Sequence, residues 1–116
     1  MSTLSAGSTR SYPRVHARLP VSYGEGEPDR RGFAETISEG GLYIKTNDPF
    51  KTGTRLVLCL ELPDGPVRLS GEVAWAIRVP EHQSEQMMCG MGVSFPRPDP
   101  EWRRRFESFR RGAATG

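Results

Sequence analysis

Two short segments of the sequence carry side chains suited to a phosphate-bearing purine. In the first, Arg10 and Arg14 are separated by three residues, just before a strand-like pattern. Guanidinium groups bind phosphates through paired hydrogen bonds and stack on bases. In the second, Ser38 precedes Gly40 and Gly41 in a turn between two strand-like patterns. Glycine allows the backbone to approach a ligand, and a serine hydroxyl can donate or accept a hydrogen bond. Each segment alone is common, so the predicted site depends on both occurring together.

The sequence offers no constellation typical of an enzyme. His16 and His82 are isolated from other candidate catalytic residues, and Ser38 and Ser70 have no recognisable nucleophile motif around them. Neither a phosphate-binding loop nor a dinucleotide fingerprint is present. In a chain of 116 residues this favours binding over catalysis, and we expect no enzyme activity.

The composition is that of one soluble domain. Hydrophobic residues make up 35% of the chain and charged residues 26%, and the net charge of +2 produces no global field for nucleic acid. Lys45 and Lys51 are the only lysines, so arginine is strongly preferred. Most of that preference is attributed to a GC-rich genome and not to ligand binding.

Sequence features also predict the cellular compartment. Residues 1–9 lack the basic and apolar regions of a signal peptide, and no apolar run approaches the ~20 residues of a membrane span. Cys59 and Cys89 lie in apolar strand-like runs, which indicates buried thiols in a reducing compartment, and no Cys/His spacing is typical of a metal site. We therefore expect a cytoplasmic protein with no membrane span and no metal.

The elements that must position these residues are mainly strands. Apolar alternation predicts strands at residues 15–23, 33–37, 42–46, 54–62, 67–79 and 87–95. In the longest of them, strict alternation places Val73, Trp75 and Ile77 on one face. The polar, glycine-containing segment 24–32 is predicted to be a loop.

A helix follows the last strand. Asp99 and Pro100 are typical of the helix cap and first helical position. Trp102, Phe106 and Phe109 then form an apolar stripe, which we interpret as core packing, with arginines on the solvated faces. Six short strands and one end helix predict a mainly β protein, a small six-stranded antiparallel barrel with a C-terminal helix. The expected domain is 10–111, between tails at 1–9 and 112–116.

These segments, in this order, resemble the PilZ domain, a family of cyclic di-GMP receptors. The family pattern is R-x-x-x-R followed, twenty to thirty residues later, by (D/N)-x-S-x-x-G. Arg10 and Arg14 match the first part, and Ser38 and Gly41 match the second. The resemblance extends over residues 10–109, in the segments SEGGLYIKT, GEVAWAIR and MGVSF.

The resemblance implies a non-enzymatic sensor. In the family, the two arginines contact phosphates and stack on guanine, while the second motif reads the guanine edge. Binding folds the N-terminal arm over the barrel and changes the surface offered to a partner. The implied ligand site is Arg10, Arg14, Thr36, Ser38 and Gly41, with cyclic di-GMP as ligand, no cofactor, and an unidentified downstream protein as partner. Arg18 is either a secondary contact or an exposed strand residue.

One position departs from the family pattern. Thr36 stands where the family has Asp or Asn. A carboxylate or amide can accept hydrogen bonds from both N1–H and N2–H of guanine, whereas the Thr36 hydroxyl is a single small group. Losing such a bidentate contact costs about 1–3 kcal/mol, or about 5- to 150-fold in affinity. The alternative function is therefore a degenerate PilZ domain that binds proteins without nucleotide. A third hypothesis, nucleic-acid binding by the helix arginines, has less support, and DNA is not an expected partner.

Overall fold

The structure is a computed structural model that describes residues 13–77 and 89–115. Arg10, one of the predicted site residues, lies outside the described residues, as do the ends of the two strands predicted at 67–79 and 87–95. The elements are β1 Arg14–Gly24, β2 Arg30–Ser38, β3 Gly41–Lys45, β4 Arg55–Leu62, β5 Gly65–Ile77, β6 Gly90–Ser94 and helix α1 Pro100–Thr115.

The six strands form a closed barrel, in the order β1-β2-β3-β6-β5-β4, and every neighbouring pair is antiparallel. This confirms the predicted barrel with a C-terminal helix. Strand β2 begins earlier than predicted, because Arg30 and Arg31 pair with Tyr23 and Ser22 instead of lying in a loop. Helix α1 continues to Thr115, into the segment predicted as a tail.

Alternating side chains of all six strands fill the barrel interior. The largest fully buried strand residues are Tyr23, Ile37, Ile44, Leu58, Leu60, Met91 and Val73. Burying an aliphatic side chain of this size stabilises the fold by about 1.5–3 kcal/mol. The interior is therefore a packed core, and a ligand must bind on the outer wall or at the barrel's ends.

A β-bulge reverses the alternation in β5. Val73 pairs with Val93, whereas Trp75 pairs with Gly92, so Ala74 is an extra residue on β5. A bulge places two residues opposite one and turns the following side chains to the other face. Trp75 is accordingly 44% exposed and Ile77 46% exposed. The prediction that both share the face of Val73 was wrong for this reason.

A second bulge lies in β2. Ala34 pairs with Ile44 and Thr36 pairs with Tyr43, so Glu35 is the extra residue. Ala34 and Ile37 are buried, while Glu35 and Thr36 are both partly exposed. The bulge therefore places two successive polar side chains on the outer wall.

Helix α1 packs its apolar stripe against the barrel core, as predicted. The carboxylate of Asp99 accepts a hydrogen bond from the Trp102 backbone N–H at 2.9 Å, which confirms the helix cap. Trp102 and Phe106 are buried, and the Trp102 ring meets Phe95 edge-on at 5.8 Å. Within the described residues, no helix is long and apolar enough to cross a membrane.

Helix α1 also contacts the turn between β2 and β3 through a hydrogen bond and an ion pair. The Trp102 indole donates a hydrogen bond to the Glu39 carbonyl at 3.0 Å, and the Arg103 guanidinium pairs with the Glu39 carboxylate at 3.1 Å. The backbone N–H of Phe95 donates to the Gly40 carbonyl at 2.9 Å. The turn that carries the second predicted motif is thus held by three contacts from the C-terminal part of the chain.

Candidate functional site

Strand pairing brings Arg14, Ser38 and Gly41 together in one row of the barrel wall. Arg14 on β1 is the register partner of Ser38 on β2, and Ser38 is the partner of Gly41 on β3. Directly opposed residues of antiparallel strands have Cβ atoms about 4.5–5.5 Å apart. Arg14 of the first motif therefore meets Ser38 and Gly41 of the second on the same wall, although the motifs are distant in sequence.

A second row lies two residues further along the strands and contains Thr36. His16 on β1 is its register partner on one side, and Tyr43 on β3 is its partner on the other. The row continues through Gly92 of β6 to Trp75 of β5. Four of the five predicted site residues thus lie in two adjacent rows, while Arg10 is outside the described residues.

The guanidinium of Arg14 is available to a ligand. Arg14 is exposed at the first position of β1. Among residues 13–77 and 89–115, no hydrogen bond or ion pair engages its side chain. A free guanidinium on an exposed strand end can bind a phosphate through two parallel hydrogen bonds.

Ser38 and Gly41 shape the turn between β2 and β3. The Ser38 hydroxyl donates a hydrogen bond to the Gly41 carbonyl at 3.1 Å, so its oxygen remains available as an acceptor. A Cβ at Gly41 would lie 2.4 Å from the Val93 carbonyl oxygen. Gly41 therefore permits close packing of β3 on β6, a structural reason for glycine beside any role in ligand binding.

Trp75 and Tyr43 form an aromatic pair in the second row, which the sequence analysis did not identify as part of the site. Their rings stack with centroids 5.5 Å apart and an interplanar angle of 15°. The indole lies directly over Gly92, where an added Cβ would be 2.2 Å from the indole nitrogen. Glycine inside a strand can indicate such a close approach, and this was the available sequence signal.

In the second row, the phenol of Tyr43 has a raised pKa. Partial burial is the largest cause of the raised pKa of the Tyr43 phenol, and electrostatic interactions with Glu35 and then with Cys89 raise that pKa further. The phenol therefore stays protonated at neutral pH and is a hydrogen-bond donor. The bulge in β2 places Glu35 next to Thr36, which is the register partner of Tyr43.

The wall combines the groups that a cyclic purine nucleotide requires. Arg14 can neutralise a phosphate, and the exposed Trp75 ring can stack on a base. Thr36 and Ser38 each supply a hydroxyl oxygen on β2. Over the described parts of the chain, no group of three or more His, Cys, Asp or Glu side chains could hold a metal ion. The arrangement supports recognition of a phosphorylated base.

Three solved structures share this fold. The Bacillus subtilis inhibitor of motility (MotI/DgrA) aligns with a TM-score of 0.73 and 20% identity, over 91% of this chain and 52% of that chain. The PilZ domain of YcgR from Escherichia coli, solved with c-di-GMP, aligns with a TM-score of 0.66 and 15% identity, over 88% of this chain and 92% of that chain. The PilZ domain of CeSA from a cellulose-synthesizing bacterium aligns with a TM-score of 0.50 and 21% identity, over 71% of this chain and 79% of that chain. The chain thus spans about half the length of the MotI chain.

Family membership is established by the sequence itself. The family model described as PilZ domain matches residues 8–111, nearly the whole chain and every residue of the predicted site. No curated protein matches the sequence. Homologues in this family are cyclic di-GMP receptors and adaptors, and no catalytic family is indicated. The family-model match over residues 8–111, with the closed barrel and its C-terminal helix, shows that this chain belongs to the PilZ domain family.

Proposed function

We propose that this protein is a non-enzymatic cyclic di-GMP sensor that binds the nucleotide on the outer wall formed by β1, β2 and β3. The observation that carries the proposal is the register of Arg14 against Ser38, with the guanidinium unpaired among the described residues. An arginine at the end of a strand, beside a hydroxyl and a close-packed turn, is suited to a phosphate.

Each part of the wall has a role in this proposal. Arg10 and Arg14 clamp the phosphates and stack on guanine, while Ser38 and Thr36 contact the ligand from the barrel. Trp75 of β5, which reaches across Gly92 to stack on Tyr43 of β3, adds an apolar ring on which a base can stack. Folding of the arginine-bearing segment over the bound nucleotide changes the surface that a downstream protein meets. This function implies a cytoplasmic protein.

The test is isothermal titration with cyclic di-GMP. Hydrogen bonds to charged groups contribute about 1.5–3 kcal/mol, so we expect Arg14→Ala to weaken binding by about 10- to 150-fold. Arg68→Ala is the matched control, because Arg68 is an exposed arginine on β5, paired with Cys59 of β4 instead of the motif strands. Absence of binding to the unaltered protein at high micromolar nucleotide refutes the proposal.

A nucleotide-independent adaptor is the second candidate function, and Thr36 is the observation that favours it. Without a bidentate acceptor at this position, the wall loses a guanine contact that the family pattern contains. Affinity capture of partner proteins with and without cyclic di-GMP separates the two functions. Equal capture by the unaltered protein and by Arg14→Ala, in the absence of nucleotide, supports the adaptor.

A further inference from the structure

The bulge in β2 exposes a carboxylate next to the position where the family pattern has Asp or Asn. Regular alternation would turn Glu35 and Thr36 to opposite faces of the wall. Because Glu35 is the extra residue between the pairs Ala34–Ile44 and Thr36–Tyr43, both side chains instead face outward. A carboxylate therefore adjoins Thr36 on the candidate binding wall.

The carboxylate of Glu35 is not engaged by its neighbours. Within the described parts of the chain, no hydrogen bond or ion pair holds it. Arg18, which lies in the irregular part of the β1–β2 register, places its guanidinium 4.3 Å from the centre of the Phe33 ring. Glu35 directly precedes Thr36, whose register partner on β3 is Tyr43, the tyrosine that stacks on Trp75. Burial is the main cause of the raised pKa of the Tyr43 phenol, and the charge of Glu35 is the next.

The other polar groups of the wall do not provide a two-point acceptor. Thr36 offers one hydroxyl, and the Ser38 hydroxyl already donates to the Gly41 carbonyl. The protonated phenol of Tyr43 has one oxygen. An ionised carboxylate has two acceptor oxygens in one plane, which match the adjacent N1–H and N2–H donors of a guanine edge.

We propose that Glu35 determines guanine specificity in this protein, taking the place of the family's Asp or Asn as the acceptor for N1–H and N2–H. This inference rests on the proposed function, because it assigns a residue within the same nucleotide site. Adenine presents an acceptor at N1 beside its N6 donors, so a carboxylate repels that edge. Glu35 therefore favours cyclic di-GMP over cyclic di-AMP.

Titration calorimetry with both nucleotides tests the assignment. We expect Glu35→Ala to weaken cyclic di-GMP binding by about 5- to 150-fold and to reduce the preference over cyclic di-AMP. Glu61→Ala is the matched control, since Glu61 is an exposed glutamate on β4, which does not carry the motifs. Affinity of Glu35→Ala within twofold of the unaltered protein overturns the assignment.

A second variant shows whether the missing contact is the guanine edge. Adding Thr36→Asp to Glu35→Ala restores a carboxylate at the family position, and we expect recovery of cyclic di-GMP affinity and selectivity. Failure to recover either contradicts the assignment. If the unaltered protein binds cyclic di-GMP but Glu35→Ala binds it equally well, only this inference fails. If the unaltered protein does not bind, the proposed function fails as well.

Discussion

The indole of Trp75 covers Gly92 and stacks on the ring of Tyr43, with ring centroids 5.5 Å apart. The bulge at Ala74 produces this arrangement by turning Trp75 out of the barrel. The pair lies in the same row as Thr36 and leaves 44% of the Trp75 surface accessible. The exposed aromatic surface of Trp75 lies on the outside of the barrel, where a planar ligand could stack on it.

Fluorescence can detect stacking of the base on Trp75. Trp75 and Trp102 are the only tryptophans, and Trp102 is a residue of helix α1 that is buried against the barrel core. We therefore expect saturating cyclic di-GMP to quench or shift the emission of the unaltered protein and to leave the emission of Trp75→Phe unchanged. A ligand-induced change that persists in Trp75→Phe would place the base elsewhere on the wall.

Substitution by alanine should change the stability of the protein in opposite directions at Gly41 and Gly26. A Cβ at Gly41 would meet the backbone carbonyl of Val93 at 2.4 Å, whereas a Cβ at Gly26 has nothing within 4 Å. Forcing an extra carbon into a packed site costs about 1–3 kcal/mol, so Gly41→Ala should reduce the free energy of unfolding by that amount. Gly26→Ala should be neutral or stabilise by up to about 1 kcal/mol, through the unfolded state. Urea unfolding of both variants, without nucleotide, measures the difference, and equal midpoints would contradict the close packing.

The indole hydrogen bond of Trp102 should contribute to stability. It joins helix α1 to the Glu39 carbonyl in the β2–β3 turn, and Phe at this position retains much of the packing but cannot donate. We expect Trp102→Phe to lower the free energy of unfolding by about 1–3 kcal/mol, because a partly buried carbonyl loses its partner. Glu39→Gln is the control for the surface ion pair with Arg103, and its expected cost is below about 1 kcal/mol. A larger cost for Glu39→Gln than for Trp102→Phe would reverse the assignment.

Arg105 is the helix arginine expected to matter for stability. Its guanidinium donates to the Gly65 carbonyl at 2.7 Å, the Pro66 carbonyl at 3.1 Å and the Asp64 carboxylate at 2.9 Å. We expect Arg105→Ala to cost about 1–2 kcal/mol by thermal or urea unfolding, after allowance for solvent screening. Arg104→Ala, at the preceding exposed position, should stay within about 0.5 kcal/mol. Similar effects of the two substitutions would contradict the anchoring role.

The titration of Tyr43 tests where the Glu35 carboxylate lies, independently of any ligand. Burial is the larger cause of the raised Tyr43 pKa, and the charge of Glu35 is the next. Glu35→Gln removes the second cause, so the Tyr43 pKa should fall toward its ordinary value while remaining above it. An NMR titration of labelled tyrosine measures this, with Tyr23 as internal reference. An unchanged Tyr43 pKa would show that the carboxylate faces elsewhere.

The same pKa shift has a defined effect on stability. Because the folded-state pKa of Tyr43 is above the ordinary value of 10.0, the protonated phenol favours the folded state. That contribution is complete below the ordinary pKa and is lost as the pH rises through the raised one. Glu35→Gln removes the part of the Tyr43 pKa shift that the carboxylate causes. The free energy of unfolding of this variant should therefore fall less at alkaline pH than that of the unaltered protein.

Much of the fold could be predicted because its signals are local. The helix follows from the Asp99 cap and the spacing of Trp102 and Phe106, which depend on neighbouring residues alone. The strand predictions failed where the pattern is interrupted. Nothing in the residue types distinguishes Ala74 as an extra residue, so simple alternation continued through it and assigned Trp75 to the wrong face.

The candidate site divides in the same way. The family, most strands, the helix and the two motifs, with Thr36 as the departure, follow from the residues alone, because periodicity and short motifs are properties of contiguous residues. The pairing of Arg14 with Ser38, and the outward orientation of Glu35 and Trp75, could be seen only in the folded barrel. Those relationships depend on strand register and on two bulges, and register is set by closing the whole barrel around one core.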